Sequence, residues 1–273
     1  MAENTSTTPA TAAGTTFTGT SSADSLSSGG GSDTISGGAG ADRLSGDELL
    51  AGQWEFRVYD RDFTSANNQT GTITSGTQVG TGYVDDFNVC ALRNTLGGTA
   101  AGDDRNNYGV VYRPSLAITT SGTYTFSSTS DDGSRIIIRD SSGAVVFNLD
   151  NDFHQSATTR SGTVSLTANQ TYTIEVYFWE NAGAGSLSAT IAGPNFAATD
   201  LATSTLIQVP PVATGHTDGN DRILGEAGND TVFGNGGNDQ LEGGGDAGLL
   251  CGGLAHGPID GGSEADTLYG DEG

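Results

Sequence analysis

Apolar residues recur every nine positions in two stretches of the chain. Leu26, Ile35 and Leu44 mark the first, and Ile223, Val232, Leu241, Leu250, Ile259 and Leu268 the second. In one register the first array reads GTSSADSLS, SGGGSDTIS and GGAGADRLS, residues 19–45. The second runs without an insertion from 216 to 269: HTDGNDRIL, GEAGNDTVF, GNGGNDQLE, GGGDAGLLC, GGLAHGPID and GGSEADTLY. Such a beat predicts a short strand of about three residues alternating with a tight turn, in which Gly supplies the positive φ that other residues resist. Each eighth-position side chain then points inward. One unit buries almost nothing alone, so the strands must coil and stack to share a core.

The sixth position of the unit is Asp at 24, 33, 42, 221, 230, 239 and 266. Stacking lines these carboxylates up in columns beside free turn carbonyls. Hard oxygens in that arrangement suit Ca²⁺, which takes six to eight of them at flexible geometry, better than Zn²⁺, which prefers nitrogen and sulfur. A disordered Gly/Asp linker, the alternative, would not hold an apolar residue at every ninth position. The units resemble the calcium-binding nonapeptide repeats of RTX (hemolysin-type) proteins, G-G-x-G-x-D-x-U-x, which form parallel β-rolls. The resemblance implies Ca²⁺ held between turns two repeats apart, pairing Asp24 with Asp42 and Asp221 with Asp239. It also implies export in an unfolded state, with folding delayed until extracellular calcium is met.

Composition agrees with a cation partner. Asp and Glu number 33 against 10 Lys and Arg, for a formal charge of -23. Without metal, an acidic, Gly-rich tract of this kind buries too little to offset chain entropy. The charge repels nucleic acid and anionic membranes, and no run of about 18 apolar residues is present to span a bilayer. The start, MAENTSTTPATAAG, lacks the basic and apolar stretches of a cleaved secretory signal. A secreted or cell-surface protein without such a signal is expected. Cys90 and Cys251 are read as free thiols, two being too few to staple a chain of 273 residues.

Between the arrays the nine-residue beat stops, and both Trp residues and most other aromatics appear. GTYTFSS, SRIIIRD, TYTIEVYFWEN and GSLSATIAGP alternate at period two, setting Tyr124 with Phe126, Ile136 with Ile138, Tyr172 with Ile174, Val176 and Phe178, and Leu187 with Ala189 and Ile191. Regular strands with short turns predict a β-sandwich. The order of pieces, SGTYTFSSTSDDGSRIIIRDSSGAVVFNLDN followed by SGTVSLTANQTYTIEVYFWENAGAGSL, resembles the anthrax protective-antigen-type domain, shared with flocculin and adhesin lectins of yeast and many bacterial surface proteins. The resemblance covers about residues 105–195, with WEFRVYD and VDDFNVCALRNTLGG fitting as the opening. In lectin members, two consecutive Asp, joined by a cis bond, grip one Ca²⁺. A second loop adds an Asn and backbone oxygens, and sugar hydroxyls complete the coordination. That implies Asp131 and Asp132, with Asn181 from the second loop, as metal and sugar ligands here. SDDG is also a serviceable turn sequence. Asp150, Asp152 and His154 either border the same site or form a solvated loop, and the solvated loop is expected.

No H-E-x-x-H or G-x-S-x-G occurs, His154, His216 and His256 are scattered, and adjacent Asp residues suit one metal better than two sides of a glycosidic bond. No enzyme is expected. The fold is expected to be all-β, an antiparallel β-sandwich flanked by, or inserted into, a parallel β-roll. The chain is divided into a flexible N-terminus (1–18), N-terminal repeats (19–47), the sandwich (48–200), a linker (201–214) and C-terminal repeats (215–273). If one roll runs through, Asp33 faces Asp221. The function expected is a calcium-dependent lectin or adhesion module with glycans as partners; the alternative is a calcium-binding scaffold without sugar binding. Two repeats carry Gly248 and Gly257 at the sixth position, with Asp246 and Asp260 out of register. There the coil is expected to continue while calcium occupancy weakens.

Overall fold

The computed structural model describes residues 4–7, 14–28, 30–46, 54–84, 87, 89–92, 107–181, 185–208, 219–235, 237–252 and 257–269. Two compact units emerge, one built from both ends of the chain and one from its middle.

The first unit is a single parallel roll. One six-stranded sheet runs Asn4–Thr7, Asp24–Ser27, Arg43–Ser45, Thr231–Phe233, Leu249–Cys251, Thr267–Tyr269. Its five-stranded counterpart runs Thr16–Thr18, Thr34–Ala39, Arg222–Ala227, Gln240–Glu242, Ile259–Asp260. The junction between the arrays is an ordinary step of both ladders: Ile35 pairs with Ile223, and Leu44 with Val232. The middle unit is therefore an insertion into one roll. Leu26, Ile35, Leu44, Ile223, Val232, Leu241 and Leu250 form one buried cluster, with Phe17 and Ile259 packed on it. Leu268 departs from the expected inward burial and is 47% exposed, because no further described coil lies on it.

Three expectations need correction. The first 18 residues contribute two strands to the roll rather than a flexible lead, since Phe17 pairs with Ile35 and so extends the apolar column one step earlier. The linker does not begin at 201. Leu201, Ala202, Leu206 and Ile207 are buried, Trp54 Nε1 donates to the Ala202 carbonyl at 2.9 Å, and Ile207–Gln208 pairs with Ser115–Ile118. Residues 209–214 lie outside the described residues. Cys251 is buried and disulfide-bonded rather than free; the side chain of Cys90 lies outside the described residues.

The turns explain the Gly content. Gly38, second in its repeat, has φ of 99°. The same position holds Asn235 at 70° and Glu226 at 75°. Asn tolerates this left-handed conformation, whereas Glu pays for the clash of its Cβ. Glu226→Gly is expected to raise the stability of the roll by about 1 kcal/mol, read as an increase in the unfolding midpoint; an unchanged or lower midpoint would count against strain at this turn.

The middle unit is antiparallel. A four-stranded sheet (Thr158–Leu166, Gly122–Asp131, Ser186–Gly193, Phe196–Asp200) faces an eight-stranded one. The path of the latter runs Val145–Asn151, Gly133–Arg139, Gln170–Glu180, Tyr108–Arg113, Trp54–Asp60, Thr77–Val84, with Ser115–Ile118 and Ile207–Gln208 off it. Phe126 of one sheet meets Phe147 of the other at a centroid separation of 5.4 Å. The alternating residues Tyr124, Phe126, Ile136, Ile138, Ile174, Val176, Phe178 and Ile191 are all buried. Gln170–Glu180 is covered on both faces: Trp179, pointing the opposite way from Phe178, packs with Tyr59, Phe63, Ile73 and Val111. The 3-10 turn Thr70–Ser75 supplies Ile73 to this outer cluster.

Candidate metal sites

In the roll the sixth-position carboxylates are organised by the backbone two repeats away. Oδ1 of Asp42 accepts the Asp24 N–H, Oδ1 of Asp221 that of Asp33, Oδ1 of Asp230 that of Asp42, and Oδ1 of Asp239 that of Asp221, at 2.8 to 2.9 Å. This gives two columns. Asp24, Asp42 and Asp230 stand in one, Asp33, Asp221 and Asp239 in the other, and all six are buried. Asp33 and Asp221 face each other as expected for one roll.

The second oxygens remain. Oδ2 of Asp33, Asp42 and Asp230 and Oδ1 of Asp24 are buried and accept no hydrogen bond. A carboxylate oxygen withdrawn from water without a partner is costly. The cost is visible in proton affinity: burial, then the charges of Asp42, Asp246 and Glu226, push the Asp230 carboxyl up to about 7 despite the Asp42 N–H it accepts. Asp42 is raised as well, by burial first and then by Asp24 and Glu226.

Oδ2 of Asp42 and of Asp230 each lie beside a turn carbonyl. A Cβ on Gly37 would lie 2.8 Å from the Gly225 carbonyl and closer still to Asp42 Oδ2. Gly225 stands likewise against Asp230 Oδ2 and the Gly243 carbonyl, and Gly234 against Asp239 Oδ2 and the Gly252 carbonyl. The absent Cβ leaves a cradle lined by carboxylate and carbonyl oxygen, which fits a hard divalent cation. Among the described residues, no three His, Cys, Asp or Glu side chains gather as a metal cluster, so backbone oxygens must complete any site.

The cradle changes where the acids are missing. The Gly248 N–H still donates to Asp266 Oδ1 at 2.8 Å, so the ladder continues. A Cβ on Gly243, however, would meet the Gly261 carbonyl at 2.6 Å and Leu250 Cδ1 at 3.1 Å, with no carboxylate. A methyl group stands where the ligand was. Asp246 and Asp260 are exposed and accept turn N–H groups of Gly228 and Gly262, outside the columns.

In the sandwich, Gly122–Asp131 ends at a cis Asp131–Asp132 peptide bond. Gly133 follows because a Cβ there would stand 2.6 Å from Trp179 Cε2. Asp132 is buried. Its N–H donates to Glu180 Oε2 (3.1 Å), its Oδ1 accepts the Gln155 N–H (3.1 Å), and its Oδ2 accepts the Asn181 N–H (3.0 Å). The second-loop Asn is thus brought to the acidic pair. Asp131 is half-buried, and burial followed by the Asp132 charge raises its pKa. The two carboxylates are hard oxygen donors of the kind Ca²⁺ takes, while Asn181 reaches the pair through its backbone N–H and its side-chain amide donates to Ser65 Oγ at 3.4 Å. Glu180 and Gln155, which hold the pair from behind, carry no sequence signal.

Sequence-matched families decide the matter. The RTX calcium-binding nonapeptide repeat matches residues 18–48, 217–250 and 258–273, and the PA14 domain matches 56–195. The chain belongs to the PA14 domain family. Its PA14 domain interrupts an RTX repeat roll. Similar solved structures include a PA14 sugar-binding domain from an RTX adhesin (21% identity, 55% of this chain and 96% of that one, TM-score 0.39). Another is the PA14 domain of the MpAFP antifreeze protein (21% identity, 61% and 96%, TM-score 0.44). A third is the Epithelial Adhesin 9 A domain from Candida glabrata in complex with Galb1-3GlcNAc (10% identity, 54% and 85%, TM-score 0.38). No curated protein matches the chain.

Of the three residues expected in a solvated loop, Asp150 and His154 are exposed, but the PA14 unit corrects the reading for Asp152. Asp152 is fully buried. It accepts Trp179 Nε1 (2.6 Å), the N–H groups of Gln69 (2.9 Å) and Thr70 (3.0 Å) and the Thr70 hydroxyl (2.5 Å), and Arg135 lies 3.3 Å away. It ties the outer Trp179 cluster to the sheet. His154 stays partly exposed, its Nε2 3.9 Å from Asp132 Oδ1. Among the described residues, no helix is long and apolar enough to cross a membrane.

Proposed function

We propose that this chain is a secreted, calcium-dependent carbohydrate-binding protein of the adhesion type, without enzymatic activity. The RTX roll is folded by Ca²⁺ bound along the columns of Asp24, Asp42 and Asp230 and of Asp33, Asp221 and Asp239. A further Ca²⁺ is held by Asp131, Asp132 and Asn181. The carrying observation is the Asp131–Asp132 pair at a strand end with Asn181 hydrogen-bonded against it. Three side chains leave part of a shell of six to eight oxygens unfilled, and neighbouring hydroxyls of a sugar are neutral, hard oxygens that fill it. Proton affinity at Asp131 is raised by burial and by Asp132, a penalty that a bound cation relieves. Secretion follows from calcium affinities of about 10⁻⁴ to 10⁻³ M in extracellular modules. Occupancy in the roll weakens from residue 243, and the turns of Gly248 and Asp266 do not make a full site.

A glycan array with and without chelator tests the reading. Glycan binding in calcium is expected to disappear in chelator, and Asp132→Asn to weaken it about 100-fold while the fold is retained. Calcium-dependent folding with no glycan bound would leave the scaffold reading instead. One observation favours that second reading: both Asp132 oxygens already accept backbone N–H groups, so the pair also serves as a loop brace.

A further inference from the structure

At the end of the sandwich away from Asp131, a cavity of about 510 Å³ is lined by the turn 194–195 and the segment 199–206. Tyr124, which also lines it, and Asp131 stand seven residues apart on one strand, about 23 Å at roughly 3.3 Å per residue. The volume falls in the range of about 300 to 1,000 Å³ usual for ligand clefts. Gly193 pairs with Phe196, so Pro194 and Asn195 make a two-residue turn. A Cβ on Gly193 would stand 2.7 Å from Phe196 Cζ and 2.8 Å from Tyr124 Cε1. The bare glycine lets both rings close in, and they meet at 6.2 Å with a tilt of 57°. The Tyr124 hydroxyl is fixed by donating to the Thr120 carbonyl at 2.7 Å. The segment 199–206 is pinned as well: Asp200 Oδ1 accepts the Ala202 N–H at 2.9 Å, and the Ala117 N–H donates to the Leu206 carbonyl at 2.8 Å. The fold therefore holds the cavity open before any ligand arrives.

We propose that this cavity binds an uncharged pyranose sugar without a metal ion. The rings of Tyr124 and Phe196, with Pro194 and Leu206, offer apolar surface on which the C–H face of a sugar ring packs. Among the described residues, the side chains of Asn195, Thr199, Thr203 and Thr205 are exposed and make no hydrogen bond within the fold. They are left to a ligand rich in hydroxyls. A wholly apolar ligand would cover these groups without pairing them, which is costly. Phosphates and carboxylates are repelled, since Asp200 lines the cavity and, among the described residues, no Lys, Arg or His does. A pyranose of about a dozen non-hydrogen atoms, at ordinary ligand efficiency, binds in the millimolar range. So weak a complex is washed from a glycan array, where chelator then reads the Asp131–Asp132 site alone. The cavity shares no residue with that site and stands or falls separately.

Amide NMR of the full chain in calcium tests this, with the methyl glycosides of glucose, galactose and mannose each added to about 100 mM, well above a millimolar dissociation constant. At least one glycoside is expected to shift the amides of Asn195, Phe196, Thr203 and Thr205 along one saturating curve. Phe196→Ala should weaken that binding about 10-fold by removing a ring. Asn195→Ala should weaken it about 5-fold by removing hydrogen bonds. Asn195 is an exposed turn residue, so the test does not depend on the Phe196 variant folding. Asp132→Asn is expected to leave the cavity titration unchanged. No shift at the cavity with any of the three glycosides, or an Asn195→Ala variant that binds as the wild type does, would overturn the proposal. Shifts confined to Gln155 and Asn181, beside the Asp131–Asp132 pair, would overturn it while upholding the calcium-dependent site. Shifts at the cavity without those would uphold the cavity alone.

Discussion

In chelator the roll is expected to unfold while the sandwich stays folded. Hydrogen exchange should lose protection across 24–45 and 222–251 and keep it across 122–139 and 170–191. Four pairs of sixth-position acids are complete: Asp24 with Asp42, Asp33 with Asp221, Asp42 with Asp230, and Asp221 with Asp239. With dissociation constants of about 10⁻⁴ to 10⁻³ M, 10 mM calcium contributes roughly 1.4 to 2.7 kcal/mol per site. Four sites then supply on the order of 6 to 11 kcal/mol, comparable with the whole stability of about 5 to 15 kcal/mol of a typical domain. Roll strands that stay protected in chelator would refute this. The pH dependence has a defined sign. The Asp230 carboxyl, raised from 3.8 to about 7, holds a proton in the metal-free folded roll that the unfolded chain releases above its ordinary range. Metal-free stability is therefore gained as pH falls below 7 and lost as pH rises through it. Calcium affinity moves the opposite way, since protons compete for the same oxygens. Chelator should unfold the roll more completely at pH 8 than at pH 5.

Asp152→Ala is expected to cost the sandwich about 3 to 5 kcal/mol, because it strands the indole N–H of Trp179, two backbone N–H groups and the nearby Arg135 in the interior. In a unit of this size that lowers the unfolding midpoint by about 10 °C or more. Asp152→Asn, which keeps one acceptor oxygen, should lose less. Calorimetry of the sandwich transition separates the cases, and a shift under about 2 °C for the Ala variant would mean that Asp152 does not brace the Trp179 cluster.

The roll was legible because its period is local: within each array, Leu26 to Leu44 and Ile223 to Leu250, every inward residue announces itself nine positions after the last. Phe17 kept the same step before Leu26, but its repeat lacks the Gly and Asp that make the motif visible. The Asp131–Asp132 pair was legible through resemblance, and the alternating strands through their period of two. The place of Gly46 in the roll ladder was not, because the Phe233 carbonyl that takes its N–H lies beyond the insertion. Asp152 was also hidden. A buried acid and an exposed one read alike in NLDNDFHQ, and only Trp179 turning to the outer face decides between them. The disulfide at Cys251 depends on tertiary placement in the same way.

The break between Gly46 and Arg222 also matters for how such chains are assembled. Gly46 donates to Phe233, and the Arg222 N–H donates to the Asp33 carbonyl at 2.9 Å, so both lips of the gap are anchored in the same ladder. A gap with fixed lips is a splice point. A different cargo whose own ends lie close together in space can be substituted there without altering any coil, because the roll asks of its guest only that its entrance and exit be neighbours. Recombination at this point would change what the protein displays while the calcium-dependent frame stays the same.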